Sequence, residues 1–212
     1  ILPILGIGGM QLFVAEAPGI SPDKFQPRIK ETAKRLWIIY IGFTGLEMIF
    51  LMVGDMTFFD ALNHSLTTMA SGGFSTKNSS IAYYDSAYID FIIVTFMFLA
   101  GTNFTMIYFG LHGKIKKVFQ NQEFRTYGIF CLVITIFCTL GIWINGNENL
   151  IDSFRYSIFQ VVSVITTTGF ITQDYTTWTP LLTMLFFFLM FVGASAGSTA
   201  GGIKIIRHLT LV

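Results

Sequence analysis

The sequence predicts an all-α membrane protein in which one unit occurs twice: a spanning helix, a half-membrane helix closed by a small-residue turn, and a second spanning helix. Three observations carry this. Mean hydropathy is +0.65 and only 12% of the 212 residues are charged, against about 25% in soluble domains. Four apolar stretches are long enough to cross a ~30 Å hydrocarbon core, which takes roughly 20 residues. Two shorter uncharged windows end in related punctuation, "TTMASGGFSTKN" at 67–78 and "ITTTGFITQD" at 165–174.

The opening "ILPILGIGGM" has neither an initiator Met nor the basic start of a signal peptide, and the end "IKIIRHLTLV" is equally abrupt. Both ends read as lying inside a longer protein. A basic loop at 15–35 leads to the first complete span, 36–54, and the window 61–76 comes after it. The next span is 91–111, the second basic loop 112–125, and the third span 126–145. The window 156–173 precedes a last segment, 180–206, which is interrupted by "GASAGSTAGGIK" at 193–204. Without its polar end, each window leaves about three helical turns, ~18 Å, enough to enter the bilayer halfway and return.

Charge sets the expected orientation, because Lys and Arg collect in cytoplasmic loops. Lys24, Arg28, Lys30, Lys34, Arg35, Lys114, Lys116, Lys117, Arg125, Lys204 and Arg207 fall on one side, leaving Lys77 and Arg155 opposite. Asp55, Asp60, Asp85, Asp90, Glu148, Asp152 and Asp174 collect on that outer side. The bias is consistent only if each short window dips in from outside. Setting "FFDALNHSL" against "LIDSFRYSI" gives an offset of 92, and "SGGFST" against "TTGFIT" gives 96. The difference of four is about one helical turn, so the second half-helix is expected to be one turn longer.

Irregular backbone at membrane depth must be buried in protein or line water. The turns Ala70–Phe74 and Thr166–Phe170 are therefore expected to face a cavity. Gly73 and Gly169 permit backbone angles that aim carbonyls inward, and the hydroxyls of Ser71, Thr167 and Thr168 add oxygens. Such carbonyls replace the hydration shell of a permeating cation, and each half-helix directs its negative C-terminal end to the same place. The alternative is that both turns are ordinary interhelical packing sites.

The glycine-rich segment likewise has two readings. Gly193, Gly197 and Gly201 at i, i+4, i+8 suit a close helix contact. Alternatively, these glycines and Gly202, with Ser195, Ser198 and Thr199, break the helix into a polar loop below the Gly169 turn, as broken helices do along substrate pathways. A third reading comes from another class: "GASAG" matches the nucleophile-elbow pattern and would make Ser195 the nucleophile of an intramembrane hydrolase. It requires a preceding strand and a histidine base, and His64, His112 and His208 are expected far from Ser195.

Glu47 lies inside the first span, neutralising a partner, lining a pathway, or held protonated or hydrogen-bonded in a helix contact. Asn103 is expected to hydrogen-bond across helices and Arg155 to sit at the outer interface. Cys131 and Cys138 read as core residues. The net charge of +1 gives no reason to expect nucleic acid, and no metal-ligand cluster or organic cofactor motif is visible.

"HSLTTMASGGFST", "TTTGF", "GASAGSTAGGIKIIR", "GIGGMQLFVAEAPG" and "PRIKETAKRLW" together resemble the TrkH branch of the Trk/Ktr/HKT potassium transporter family, along essentially the whole chain. The resemblance implies two of four helix, pore-loop, helix repeats around one pore. It divides the chain into 1–35, the end of the first repeat's inner helix and a linker; 36–111, the second repeat; 112–125, a cytoplasmic loop; and 126–212, the third repeat, with a gating loop at 193–203. It makes Ala70, Ser71, Gly72, Gly73, Thr166, Thr167, Thr168 and Gly169 potassium filter residues. It further implies transport without enzymatic chemistry, a multi-pass bacterial inner-membrane protein in contact with lipid, a homodimer, and a cytosolic nucleotide-binding regulatory subunit of the TrkA type. The basic loops 22–35 and 112–125 are plausible docking surfaces for that subunit, or simply set topology.

Overall fold

A computed structural model describes residues 29–145 and 149–210. The expected end of an inner helix at 1–14, most of the linker after it, and Glu148 lie outside the described residues. Helix α1 runs Ile29–Val53, and its apolar sequence makes it long enough to cross a membrane. Gly54 ends it, donating to the Phe50 and Leu51 carbonyls. A Cβ at Gly54 would lie 2.8 Å from the Tyr88 ring. The chain turns at Asp55, φ +66°, and Thr57 caps α2, Phe58–Met69, by accepting from the Asp60 N–H. Twelve residues make a helix of ~18 Å, half a bilayer.

After a 3₁₀ turn at Ser80–Tyr83 come α3, Ala87–Ala100, and α4, Phe104–Leu111, whose axes differ by 108°. The expected span 91–111 is thus broken near its middle. Gly101 is the breaking point, because a Cβ there would lie 2.5 Å from Tyr127 Oη, 2.8 Å from Thr166 Cγ2 and 3.1 Å from Ala194 Cβ. Asn103 restarts the helix: its Oδ1 accepts the Thr105 N–H at 2.8 Å. Sequence reasoning assigned this side chain to another helix; it instead caps α4, as Asn does at an N-cap.

Helix α5, Ile115–Gln120, lies on the surface, and α6, Gln122–Asn145, is the second helix long and apolar enough to span. The second half-helix, α7, runs Leu150–Ile165. A 3₁₀ turn at Tyr175–Thr177 precedes α8, Pro180–Leu189, which stops after ten residues. The chain then forms β1, Val192–Gly193, a loop, and β2, Ile203–Lys204, paired in parallel, before α9, Ile205–Thr210. The expected last span is therefore a short helix and a loop.

Helix α1 packs on α2, α6 on α7, and α3 joins the halves through α7. One apolar cluster crosses between them, with Leu51, Ile93 and Met97 against Phe159 and Phe170. Outward faces remain apolar: Trp37, Ile49 and Val53 on α1, Ile129, Leu132 and Ile144 on α6, and Leu181 and Phe187 on α8 are exposed. Such a surface suits hydrocarbon or further protein, not water.

Candidate functional site

The two half-helices end alike, bond for bond. In the first turn the N–H groups of Ala70, Ser71, Gly72 and Gly73 donate to the carbonyls of Leu66, Thr68, Thr67 and Thr67. In the second, Thr166, Thr167, Thr168 and Gly169 donate to Val162, Val164, Ser163 and Ser163. Every partner is displaced by 96 positions. Ser71 and Thr167 are both left-handed, φ +52° and +56°, as are Gly73 and Gly169, φ +64° and +87°. A hydroxyl-bearing residue with Cβ pays up to a few kcal/mol for that region, so the surrounding bonds must hold it there. The eight carbonyls of residues 70–73 and 166–169 accept no hydrogen bond from the described residues. Backbone oxygens at the negative end of a helix, left without donors, attract a cation.

Two pairs that sequence reasoning passed over hold these turns. The hydroxyls of Thr67 and Ser163 donate to the Phe74 and Phe170 carbonyls at 2.9 and 2.7 Å. One turn earlier, His64 Nε2 meets Ser75 Oγ at 2.9 Å and Gln160 Nε2 donates to the Gln173 carbonyl at 2.7 Å. Both pairs are again 96 apart, so the offset itself could have found them. The turns also touch each other: a Cβ on Gly73 would overlap the Thr168 carbonyl oxygen, whereas one on Gly169 would meet nothing within 4 Å.

The hydroxyls expected to add oxygens to the cavity have other partners. Thr166 Oγ1 donates to the Val162 carbonyl and meets Thr168 Oγ1 at 2.8 Å. Ser71 Oγ lies 2.9 Å from Thr199 Oγ1, and Thr167 Oγ1 accepts the Gly201 N–H at 2.7 Å. The matched left-handed residues of the two turns thus both hold the glycine-rich loop.

That loop, between Gly193 and Gly202, is seated against the break in α3–α4. Ser195 and Thr199 donate their N–H groups to the carbonyls of Gly101 and Ala100, and Phe104 returns its N–H to Gly197. Each interrupted helix satisfies backbone groups that the other leaves open, as the membrane interior demands. The loop is closed by its own glycines: a Cβ on Gly193 would overlap the Gly201 carbonyl, and Gly197 and Gly202 are left-handed. Ser198 Oγ donates to the Ser195 carbonyl. Glu123, buried in the first turn of α6, accepts the Ala196 N–H on Oε1 at 2.5 Å.

The nucleophile reading of Ser195 finds no support in this geometry. A two-residue strand does precede it, but Ser195 Oγ is buried with no hydrogen-bond partner among the described residues. The ring nitrogens of His64 and His112 bond elsewhere, to the Asp60 carbonyl and Ser75 and to the Tyr108 carbonyl. No group of three or more metal-ligating side chains occurs among the described residues. Glu47 is fully buried, with neither oxygen hydrogen-bonded among them.

Beyond the first turn, Thr76 Oγ1 donates to Asp60 Oδ1 at 2.6 Å, and Lys77 Nζ lies 3.2 Å from Asp60 Oδ2. The Thr76 hydroxyl is the largest influence holding the Asp60 carboxyl down to about 2. Arg155, whose side chain is mostly buried, lies 3.5 Å from Asp85 and 3.6 Å from Asp90.

A family model for cation transport proteins, TrkH, matches residues 1–212. The chain belongs to the TrkH family. Trk system potassium uptake proteins TrkH of Salmonella typhimurium and Escherichia coli K12 are each 42% identical to it over 214 residues. The alignments cover 100% of this TrkH-family chain and 44% of each relative, so it spans less than half their length. The crystal structure of the potassium transporter TrkH from Vibrio parahaemolyticus superposes with a TM-score of 0.83 at 36% identity, covering 94% of this chain and 44% of that one. The family is one of cation transporters, not enzymes.

Proposed function

We propose that this chain supplies two sides of a potassium pathway in a Trk-type uptake protein of the bacterial inner membrane. The observation that carries the reading is the pair of turns with the same hydrogen bonds 96 residues apart and eight carbonyls that accept no hydrogen bond from the described residues. A dehydrated potassium ion needs several neutral oxygens in place of its water shell, and one turn cannot surround it. In this reading Ala70–Gly73 and Thr166–Gly169 are filter walls of the second and third repeats, 36–111 and 126–212. The loop 193–203 is the gate, lying beneath the filter and held by it through Ser71 and Thr167. A homodimer and a cytosolic nucleotide-binding TrkA-type subunit complete the proposal, supported by relatives that are named parts of a Trk system. The basic loops 22–35 and 112–125 are the docking surfaces offered to that subunit.

Gly73→Ser in the full-length protein tests the filter. The new Cβ meets the Thr168 carbonyl in a left-handed conformation, so both walls must move. Potassium over sodium preference, measured as relative uptake in a strain lacking its own potassium systems, is expected to fall about tenfold, ~1.4 kcal/mol of discrimination. Unchanged relative uptake refutes the filter assignment.

A further inference from the structure

The glycine-rich loop is also gripped by two side chains of opposite charge, neither of them from the turns. Glu123 holds its first arm, accepting the Ala196 N–H. Lys204 holds its second arm, donating to the Ala200 carbonyl. Between their grips lies the tip, Gly197–Thr199. Glu123 is only 3% exposed. An acid is placed in such surroundings only where hydrogen bonds and charge offset its lost hydration, and a neutral side chain would have sufficed merely to satisfy one N–H. A carboxylate makes that bond roughly twice as strong as a neutral acceptor does.

The position of Glu123 in the chain adds the second half of the argument. It comes three residues after α5, at the elbow where α5 turns into α6, and Asn121 caps the new helix by accepting the Phe124 N–H. Helix α5 buries none of its residues, so the elbow lies at the surface while its one acidic side chain reaches the loop. Motion of the elbow therefore acts directly on Ala196.

We propose that Glu123 is a positioning residue that keeps the glycine-rich loop across the pathway, and that displacement of the α5–α6 elbow releases it. The proposal rests on reading 193–203 as the gate. Its test uses the full-length protein in proteoliposomes, with potassium and sodium flux measured separately. Glu123→Ala is expected to raise basal potassium flux about tenfold, as loss of one hydrogen bond to a charged group implies, with the preference for potassium unchanged. Glu123→Gln, which keeps an acceptor oxygen without the charge, should fall between Ala and wild type. Wild-type flux in Glu123→Ala, or flux of both ions rising alike, overturns the proposal; the second result means general loosening. If Glu123→Ala does not purify as a folded protein, Glu123→Gln decides alone: flux above wild type supports the latch, and equal flux refutes it. Deleting residues 195–201 tests the underlying reading separately. Normal flux in the deletion removes the gate altogether, whereas raised flux there with wild-type flux in Glu123→Ala removes only the latch.

Discussion

Asp60 sits where the first turn returns toward the surface, joined to Thr76 and Lys77, so the segment leaving the turn is tied to the helix that enters it. Its carboxyl is lowered to about 2, chiefly by the Thr76 hydroxyl, from about 3.9 in an unfolded chain. A lowered acid contributes stability that is complete above the unfolded value and is lost as pH falls through the folded one. The tie should hold between pH 5 and 8 and fail only near pH 2 to 4. Uptake measured over pH 5–8 should accordingly show no titration removed by Asp60→Asn, although that variant lowers uptake at every pH; a titration abolished by the substitution would show that Asp60 is not held down. At this scale the sequence was only partly legible. Gly73 and Gly169 announce left-handed backbone because glycine tolerates it. Ser71 and Thr167 do not, since nothing in a serine or threonine codes for positive φ until the bonds that enforce it are seen. Glu123 gave one unused signal, an acid in an otherwise basic loop.

The elements matched the sequence where hydrophobic length decided them and departed where a close contact did. Helices α1 and α6 were legible as spans, and α2 and α7 as half-helices with α7 four residues longer. The bend between α3 and α4 was not, because the two helices together remain apolar enough for one span despite Gly101, Thr102 and Asn103, and the reason to break there lies in Tyr127, Thr166 and Ala194, far along the chain. Gly101→Ala should therefore destabilise the full-length protein by about 1–3 kcal/mol through overpacking, read as a lower thermal denaturation midpoint in detergent. Gly42→Ala, in helix α1 with open space around the added methyl, should be neutral or stabilising by up to ~1 kcal/mol. Equal effects at both positions would mean that the contacts at the bend do not matter. The loop 193–203 was legible as an interruption from its glycines, but its partners, the carbonyls freed by the unseen bend, were not.

Across the whole molecule, the two halves are fastened by an apolar cluster and by Arg155, which belongs to α7 yet pairs with Asp85 and with Asp90 of α3. Sequence reasoning left Arg155 at the outer interface, because pairing between halves depends on how they dock. Removing it leaves Asp90, which is 4% exposed and already raised to about 7 by burial, to take up a proton without a partner, so Arg155→Ala should cost about 1–3 kcal/mol. Asp85→Asn should cost ~0–1 kcal/mol, because the Asp85 side chain is 84% exposed. Thermal denaturation of both variants checks the difference. The repeat was legible from the chain because its offset changes from 92 to 96 between the start of the half-helix and its turn, and the structure accounts for the change. The extra turn of α7 lies before Gln160, so the backbone bonds of the second turn and the Ser163 bond to Phe170 keep the register of their counterparts after His64. Insertions here are consequently quantised. Four added residues rotate the remainder of the helix by about 400°, roughly 40° past a full circle, which brings the donors back near their acceptors. Two would rotate it by about 200° and turn Ser163 away from the Phe170 carbonyl. Descent from a common ancestral unit could lengthen one copy without detuning it only in steps of a whole turn. The two copies can thus differ in height at the mouth while remaining level where their carbonyls meet.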